Sequence, residues 1–169
     1  CSASGVNLTA EINPDTGGTC TYPIGSGGTN GLVINSGAVA GTTTGALWGC
    51  FRNKSAGTER EFTGACNAER AETGNGLGID ATAGFTEGER PAVINADYYN
   101  AEWMGEILTT DQGTYKFCLD SNEGGFIWVN KQVVMDDRGY HLQGTKRCGN
   151  IWLSGNTWYP IRVGFFEGV

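Results

Sequence analysis

GTYKFCLDSNEGGFIWVNKQVV, residues 113–134, predicts two β-strands joined by an acidic turn that contains glycine. Tyr115, Phe117 and Leu119 alternate with polar residues, which is typical of a strand with one buried face. The run FIWV at 126–129 is apolar on both faces and indicates a strand buried between two layers. The stretch therefore predicts paired strands of a layered β-structure.

Strand-like segments continue on both sides of this stretch. A turn at Asn130-Lys131 leads into a further strand, and residues 150–166 form a predicted hairpin. From residue 47 onward no 11-residue window carries a helical apolar period, whereas Gly, Asn and Asp separate short apolar runs. The sequence predicts an all-β fold, an antiparallel β-sandwich, over residues 44–169.

Residues 1–43 differ in composition from the rest of the chain. They hold no Lys or Arg, their only charges are Glu11 and Asp15, and Tyr22 is their only aromatic residue. We interpret them as an N-terminal arm rich in Gly, Ser and Thr. The segment around 31–41 is either one strand, which would serve in association, or part of a loosely ordered lead-in.

The cysteine content predicts disulfide bonds. The six residues form an even set without a CxxC motif, which argues against zinc or a redox pair and for an oxidising, extracellular setting such as a cell surface or matrix. Fifteen pairings are possible, and pairing neighbours in sequence is the simplest. The predicted bonds are Cys1 with Cys20, Cys50 with Cys66, and Cys118 with Cys148.

Charge and hydropathy narrow the range of partners. The net charge of −7 gives no electrostatic reason to bind nucleic acid. No apolar run approaches the roughly 18 to 20 residues that span a bilayer, so we expect no membrane insertion. Two sequons, at Asn7 and Asn53, agree with secretion and predict N-glycosylation in a eukaryotic host.

Four motifs together resemble a known family. They are WMG at 103–105, GTYKF at 113–117, SNEGGFIWVNKQVV at 121–134 and GNTWYPIRVGFFEG at 155–168. In this order they are similar to the protective-antigen-type fourteen-kilodalton (PA14) domain family, over about residues 45–168. The resemblance implies a β-sandwich found in secreted adhesins, toxins and glycosidases, often as a sugar-binding accessory and not as a catalytic fold.

The resemblance also implies a calcium site at the acidic turn. Sugar-binding members carry two adjacent aspartates there, which share a calcium ion that takes two sugar hydroxyls. This chain has Asn122-Glu123 at that position, with Asp120 nearby, so we expect weaker calcium binding. The alternative is a plain hairpin turn in which Gly124 and Gly125 permit positive φ.

Other chemistry has less support. His141 is the only histidine, which argues against a multi-histidine metal centre, and no G-x-S-x-G motif is present. The carboxylates Glu102 and Glu106 share one side of a predicted strand, but 18 acidic residues produce such pairs by chance. The sequence predicts a protein that is not an enzyme.

The aromatic residues and the arm suggest two functions. Trp128 and Trp158 would stack on sugar rings in a glycan-binding adhesion module, although tryptophans in such strands are more often core. Alternatively, the arm would add a strand to the open edge of another copy, as in a structural subunit of an extracellular fibre. The expected partners are therefore carbohydrate or copies of the same chain.

Overall fold

The computed structural model describes residues 5–14, 20–23, 32–35, 47–72, 85–86, 90–109, 111–141 and 145–168. These residues form twelve strands and no helix. The strands are β1 Gly5–Pro14, β2 Cys20–Pro23, β3 Leu32–Asn35, β4 Leu47–Asn53, β5 Ala68–Glu72, β6 Phe85–Thr86, β7 Tyr99–Thr109, β8 Gly113–Ser121, β9 Gly124–Val129, β10 Gln132–Asp137, β11 Thr145–Leu153 and β12 Thr157–Glu167. The described part thus has no helix long and apolar enough to cross a membrane.

The strands form two antiparallel sheets, which confirms the predicted β-sandwich. The first sheet has the order β11-β8-β1-β2, and β6 also pairs with β1. The second sheet has the order β10-β9-β12-β7-β4-β5, and β3 also pairs with β7. All the described pairings are antiparallel.

The core lies between the sheets and includes alternate residues of β8. Tyr115 and Phe117 of β8 are fully buried, as is Trp103 of β7. The ring of Phe51 on β4 meets Trp103 edge-on, with ring centroids 5.9 Å apart. In β8, period-two alternation therefore decides which face is buried.

Residues 113–134 form β8, β9 and the start of β10, as predicted. Asn130 and Lys131 have φ of 51° and 62°, which fits the two-residue turn that suits the twist of a hairpin. The 150–166 hairpin is also confirmed, as β11 and β12. One expectation is wrong: Gly124 and Gly125 belong to β9 without positive φ, and neighbouring backbone atoms leave no room there for a β-carbon.

Two disulfides confirm two of the three predicted pairs. Cys50 bonds to Cys66, and Cys118 bonds to Cys148. The second bond joins directly opposed residues of β8 and β11. The predicted pair of Cys1 with Cys20 lies outside the described residues, because Cys1 and the side chain of Cys20 are not among them.

Segments of the range 1–43 pair with the rest of the chain. β1 runs antiparallel to β8 from Asn7 opposite Asp120 to Pro14 opposite Gly113. β3, which lies within 31–41, pairs with the end of β7. These segments therefore add strands to both sheets of their own chain, and a role of the arm in association stays a prediction.

Candidate functional site

The outer face of the second sheet carries the candidate site. Ile127 and Val129 of β9 belong to the core, so Phe126 and Trp128 occupy the opposite face. The register of β9 with β12 places Trp128 beside Arg162. This pairing sets an indole next to a guanidinium on a rigid sheet.

Phe126 owes its position to a glycine. Gly164 lies opposite Phe126 on β12, and a β-carbon on Gly164 would stand less than 3.0 Å from the Phe126 ring. The ring therefore lies across the backbone of β12. Phe62, from the loop between β4 and β5, covers it edge-on with ring centroids 4.8 Å apart. Phe126 is buried as a result, although it points away from the core.

Glu102 of β7 holds the side chain of Arg162 in place. Its carboxylate is buried and accepts a hydrogen bond from Arg162 Nε on one oxygen and from Arg52 Nη2, at 3.1 Å, on the other. Arg52 Nε in turn donates to the carbonyl of Gly64 at 3.0 Å. Because charge-assisted hydrogen bonds are strong and directional, this arrangement holds Arg162 in one orientation.

Arg162 and Trp128 separate two cavities. The Arg162 guanidinium lies 5.1 Å from the Trp128 ring centroid and 5.2 Å from that of Phe126, within cation–π distance. The larger cavity, called the aromatic cleft below, has a volume of about 420 Å³, and the smaller one about 290 Å³. The aromatic cleft is lined by Arg60, Glu61, Phe62, Thr63, Phe126, Trp128, Arg138 and Arg162.

Two further arginines form the rim of the aromatic cleft. Arg138 donates from Nε and Nη2 to the Asp136 carboxylate at 2.8 and 2.6 Å, and this hydrogen bonding lowers the pKa of Asp136 and raises that of Arg138. Arg60 Nη1 donates to the carbonyl of Arg138 at 3.2 Å, and its guanidinium lies 4.2 Å from the Tyr140 ring centroid.

The acidic turn lies apart from the lining of the aromatic cleft. Asn122 Nδ2 donates to Glu167 Oε1 at 3.2 Å, and the Glu123 carboxylate packs against the backbone of Gly168. Asp120 is in β8, opposite Lys146 of β11. Across the described ranges, no three His, Cys, Asp or Glu residues are grouped so as to hold a metal ion. Calcium binding at this turn stays a prediction.

The two predicted glycan-binding tryptophans have different surroundings. Trp128 is half-buried and lines both cavities. Trp158 is 41% exposed, lies opposite Leu108 and lines neither cavity. Neither tryptophan belongs to the core. Because only Trp128 lines the cavities, the structure brings only Trp128 into the candidate site.

The sequons also differ. Asn53 Nδ2 donates to the Val93 carbonyl at 3.1 Å, and its Oδ1 accepts from the backbone of Asn95 at 2.7 Å. Asn7 is part of β1, and its side chain lies outside the described residues. Glycosylation of both stays a prediction.

Sequence reasoning did not identify the arginines or Phe62 as site residues. A signal was present at Arg162, because strand alternation places it outward between the core residues Ile161 and Val163. The contact with Glu102 spans 60 positions and required the register of β12 with β7. No local pattern contains that information.

Comparison with protein-family models decides the family. The PA14 domain model matches residues 62–169, which is more than half of the sequence and includes every strand from β5 onward. The chain belongs to the PA14 domain family. The match extends from Phe62 in the aromatic cleft to the C-terminal strand of this PA14 domain, and it confirms the resemblance found in the motifs.

Solved structures share the fold of this PA14 domain. The GH31 alpha-xylosidase from Xanthomonas citri matches with 18% identity and a TM-score of 0.57, over 97% of this chain and 16% of the enzyme. An anti-sigma factor domain-containing protein matches with 22% identity and a TM-score of 0.55, over 73% of this chain and 38% of its own. The PA14 sugar-binding domain from an RTX adhesin matches with 19% identity and a TM-score of 0.53, over 72% of this chain and 82% of the adhesin domain.

These likenesses show the fold alone. The PA14 chain spans well under half the length of the xylosidase and of the anti-sigma factor protein, so it corresponds to one part of each. No curated protein gives a significant match.

Proposed function

We propose that this PA14 domain is a non-catalytic carbohydrate-binding module of a secreted protein. The observation that carries the proposal is the half-buried indole of Trp128, which lines two adjoining cavities next to the fixed guanidinium of Arg162. Support also comes from the RTX adhesin neighbour, which is a PA14 sugar-binding domain.

The chemistry of this surface suits a sugar. A pyranose has an apolar face of C–H groups, which packs on an indole, and a rim of hydroxyls, which accept hydrogen bonds from guanidinium groups. A cavity of about 420 Å³ is within the usual size for small-molecule sites, about 300–1,000 Å³. Size and polarity therefore both fit a saccharide.

The site gives no support to hydrolysis. Glycoside hydrolysis generally uses two carboxylates that flank the bond. Among the residues described around the aromatic cleft, Glu61 is the one carboxylate in the lining, and Glu102 beneath it is held by two arginines. The xylosidase neighbour matches over only 16% of its length. Binding without catalysis is the function we infer.

Other features of the chain bear on its cellular location and on whether it forms fibres. Two disulfides favour an oxidising, extracellular location. The fibre alternative gains no support from the structure, because β1 pairs with β8 of its own chain.

A glycan array tests the proposal. The protein should bind at least one class of glycan, and Trp128→Ala should weaken that binding about ten-fold or more because the stacking surface is lost. Trp158→Ala is the matched control and should bind as the native protein does, since Trp158 lines neither cavity. Absence of any glycan binding, or equal binding by Trp128→Ala, would overturn the proposal.

A further inference from the structure

The polar lining of the aromatic cleft is dominated by arginine. Arg60, Arg138 and Arg162 line it, against a single carboxylate, Glu61. The chain as a whole carries a net charge of −7. The aromatic cleft is therefore a local concentration of cationic groups on an acidic protein.

Charge compensation around the aromatic cleft is incomplete. Arg138 is paired with Asp136. Glu102, in contrast, is one carboxylate shared by two guanidinium groups, those of Arg52 and Arg162. Arg60 hydrogen-bonds to a carbonyl and forms no ion pair with a described carboxylate. Of the arginines around the aromatic cleft, Arg138 thus has its own carboxylate, Arg52 and Arg162 share Glu102, and Arg60 is in no ion pair with a described carboxylate.

Arg162 is oriented with its donor end available. Its Nε is bonded to Glu102, whereas Nη1 and Nη2 make no hydrogen bond to any residue that the structure describes. The side chain is 34% exposed, and the guanidinium lies 5.1 Å from the Trp128 ring centroid. A planar anion that meets these two nitrogens would therefore lie beside the indole.

We propose that the aromatic cleft binds acidic saccharides, with the carboxylate of a hexuronate on the terminal nitrogens of Arg162 and the apolar face of the same ring on Trp128. This inference rests on the proposed function and names its ligand class. A guanidinium donates two parallel hydrogen bonds to a carboxylate, and such charge-assisted pairs are about twice as strong as neutral ones. A neutral sugar would leave this donor pair partly unused.

A sulfate ester carries the same charge as a carboxylate. The planar carboxylate fits the planar fork of Arg162 better, so we expect it to bind more tightly. The experiment therefore compares three methyl glycosides that differ only at C6: galactoside, galacturonate and galactoside 6-sulfate. Their dissociation constants are measured by NMR titration at low and at high salt.

The galacturonate should bind at least ten-fold more tightly than the galactoside, and this preference should shrink at high salt. Arg162→Gln should abolish the preference while weak binding of the neutral galactoside persists. Arg60→Gln, which leaves the contact with Glu102 intact, should reduce the preference by a smaller factor. Arg147→Gln, at an exposed arginine of β11 outside both cavities, is the matched control and should leave it unchanged.

The outcomes separate this inference from the proposed function. Equal binding of galactoside and galacturonate, lost in Trp128→Ala, would overturn the acidic ligand class and keep carbohydrate binding. Tighter binding of the 6-sulfate than of the galacturonate would overturn the carboxylate assignment. A galacturonate preference that survives in both Arg162→Gln and Arg60→Gln would overturn the site. Absence of binding to all three glycosides would overturn the inference, and the glycan array then decides the proposed function.

Discussion

The ring of Phe126 lies so close to Gly164 that a β-carbon on residue 164 would stand less than 3.0 Å from the ring. Phe126 comes from β9 and Gly164 from β12, so the contact joins neighbouring strands on the outer face of the second sheet. This contact sets the floor of the aromatic cleft, on which Arg162 and Phe62 then pack.

Gly164→Ala should therefore destabilise the fold and disrupt the aromatic cleft. The new methyl group must displace a buried ring, and overpacking of this kind costs about 1–3 kcal/mol. Denaturant unfolding measures the loss in free energy of unfolding. Gly139→Ala is the control, because its β-carbon would meet its nearest neighbour at 3.9 Å, and it should change stability by less than about 0.5 kcal/mol. Equal stability of the two variants would contradict the steric role of Gly164.

The fold was largely predictable from the sequence, and the site only in part. Alternation at Tyr115, Phe117 and Leu119 decides which face of β8 is buried, and this information is local. The position of Phe62 over Phe126 depends instead on how the loop between β4 and β5 folds back over β9. Long-range contacts of this kind have no local sequence pattern.

Trp128 shows the same limit at a single residue. The sequence identified it as a sugar-stacking candidate together with Trp158, because both occur in strands and both are aromatic. Only the register of β9 with β12 places Trp128, and not Trp158, beside Arg162 and between the two cavities. Residue type identifies both tryptophans as candidates, and tertiary structure distinguishes between them.

The ion pair at the rim of the aromatic cleft should respond to pH. The hydrogen bond from Arg138 lowers the pKa of Asp136 in the folded protein. The pair therefore contributes stability above the unfolded value of about 3.9, and this contribution disappears as pH falls through the lower folded value. Because both side chains are partly exposed to solvent, the contribution should be below about 1 kcal/mol.

Carboxyl NMR titration of Arg138→Gln tests this point. The pKa of Asp136 should rise toward its usual value in the variant. The stability difference from the native protein should be present at pH 6 and should shrink as the pH falls below the usual pKa of an aspartate. An unchanged pKa of Asp136 would show that Arg138 is not its partner.

Restoring the aspartate pair should create calcium dependence. In the double variant Asn122→Asp with Glu123→Asp, the donor to Glu167 is replaced by a carboxylate, so two carboxylates face each other. Without calcium this variant should be less stable than the native protein by about 1 kcal/mol or more. Excess calcium should reverse the loss, because the ion binds carboxylate oxygens.

Thermal unfolding in EDTA and in excess calcium measures both effects. Asn150→Asp, at an exposed position of β11, adds the same charge elsewhere and should show no calcium response. The native protein should respond weakly to calcium. A calcium response of the native protein as large as that of the double variant would contradict the expected weakening by Asn122-Glu123.

The most direct measurement is the indole N–H region of the NMR spectrum during titration with a galacturonate glycoside. The protein has five tryptophans, and substitution by Phe assigns their signals one at a time. Trp128 Nε1 is buried and has no hydrogen-bond partner among the described residues, so its signal should report ligand in the aromatic cleft. The signal of Trp128 should shift with the ligand. The signals of Trp158 and of Trp152, an exposed residue of β11 that lines neither cavity, should stay in place. A shift of Trp152 or Trp158 with Trp128 unchanged would contradict the assignment of the aromatic cleft as the carbohydrate site.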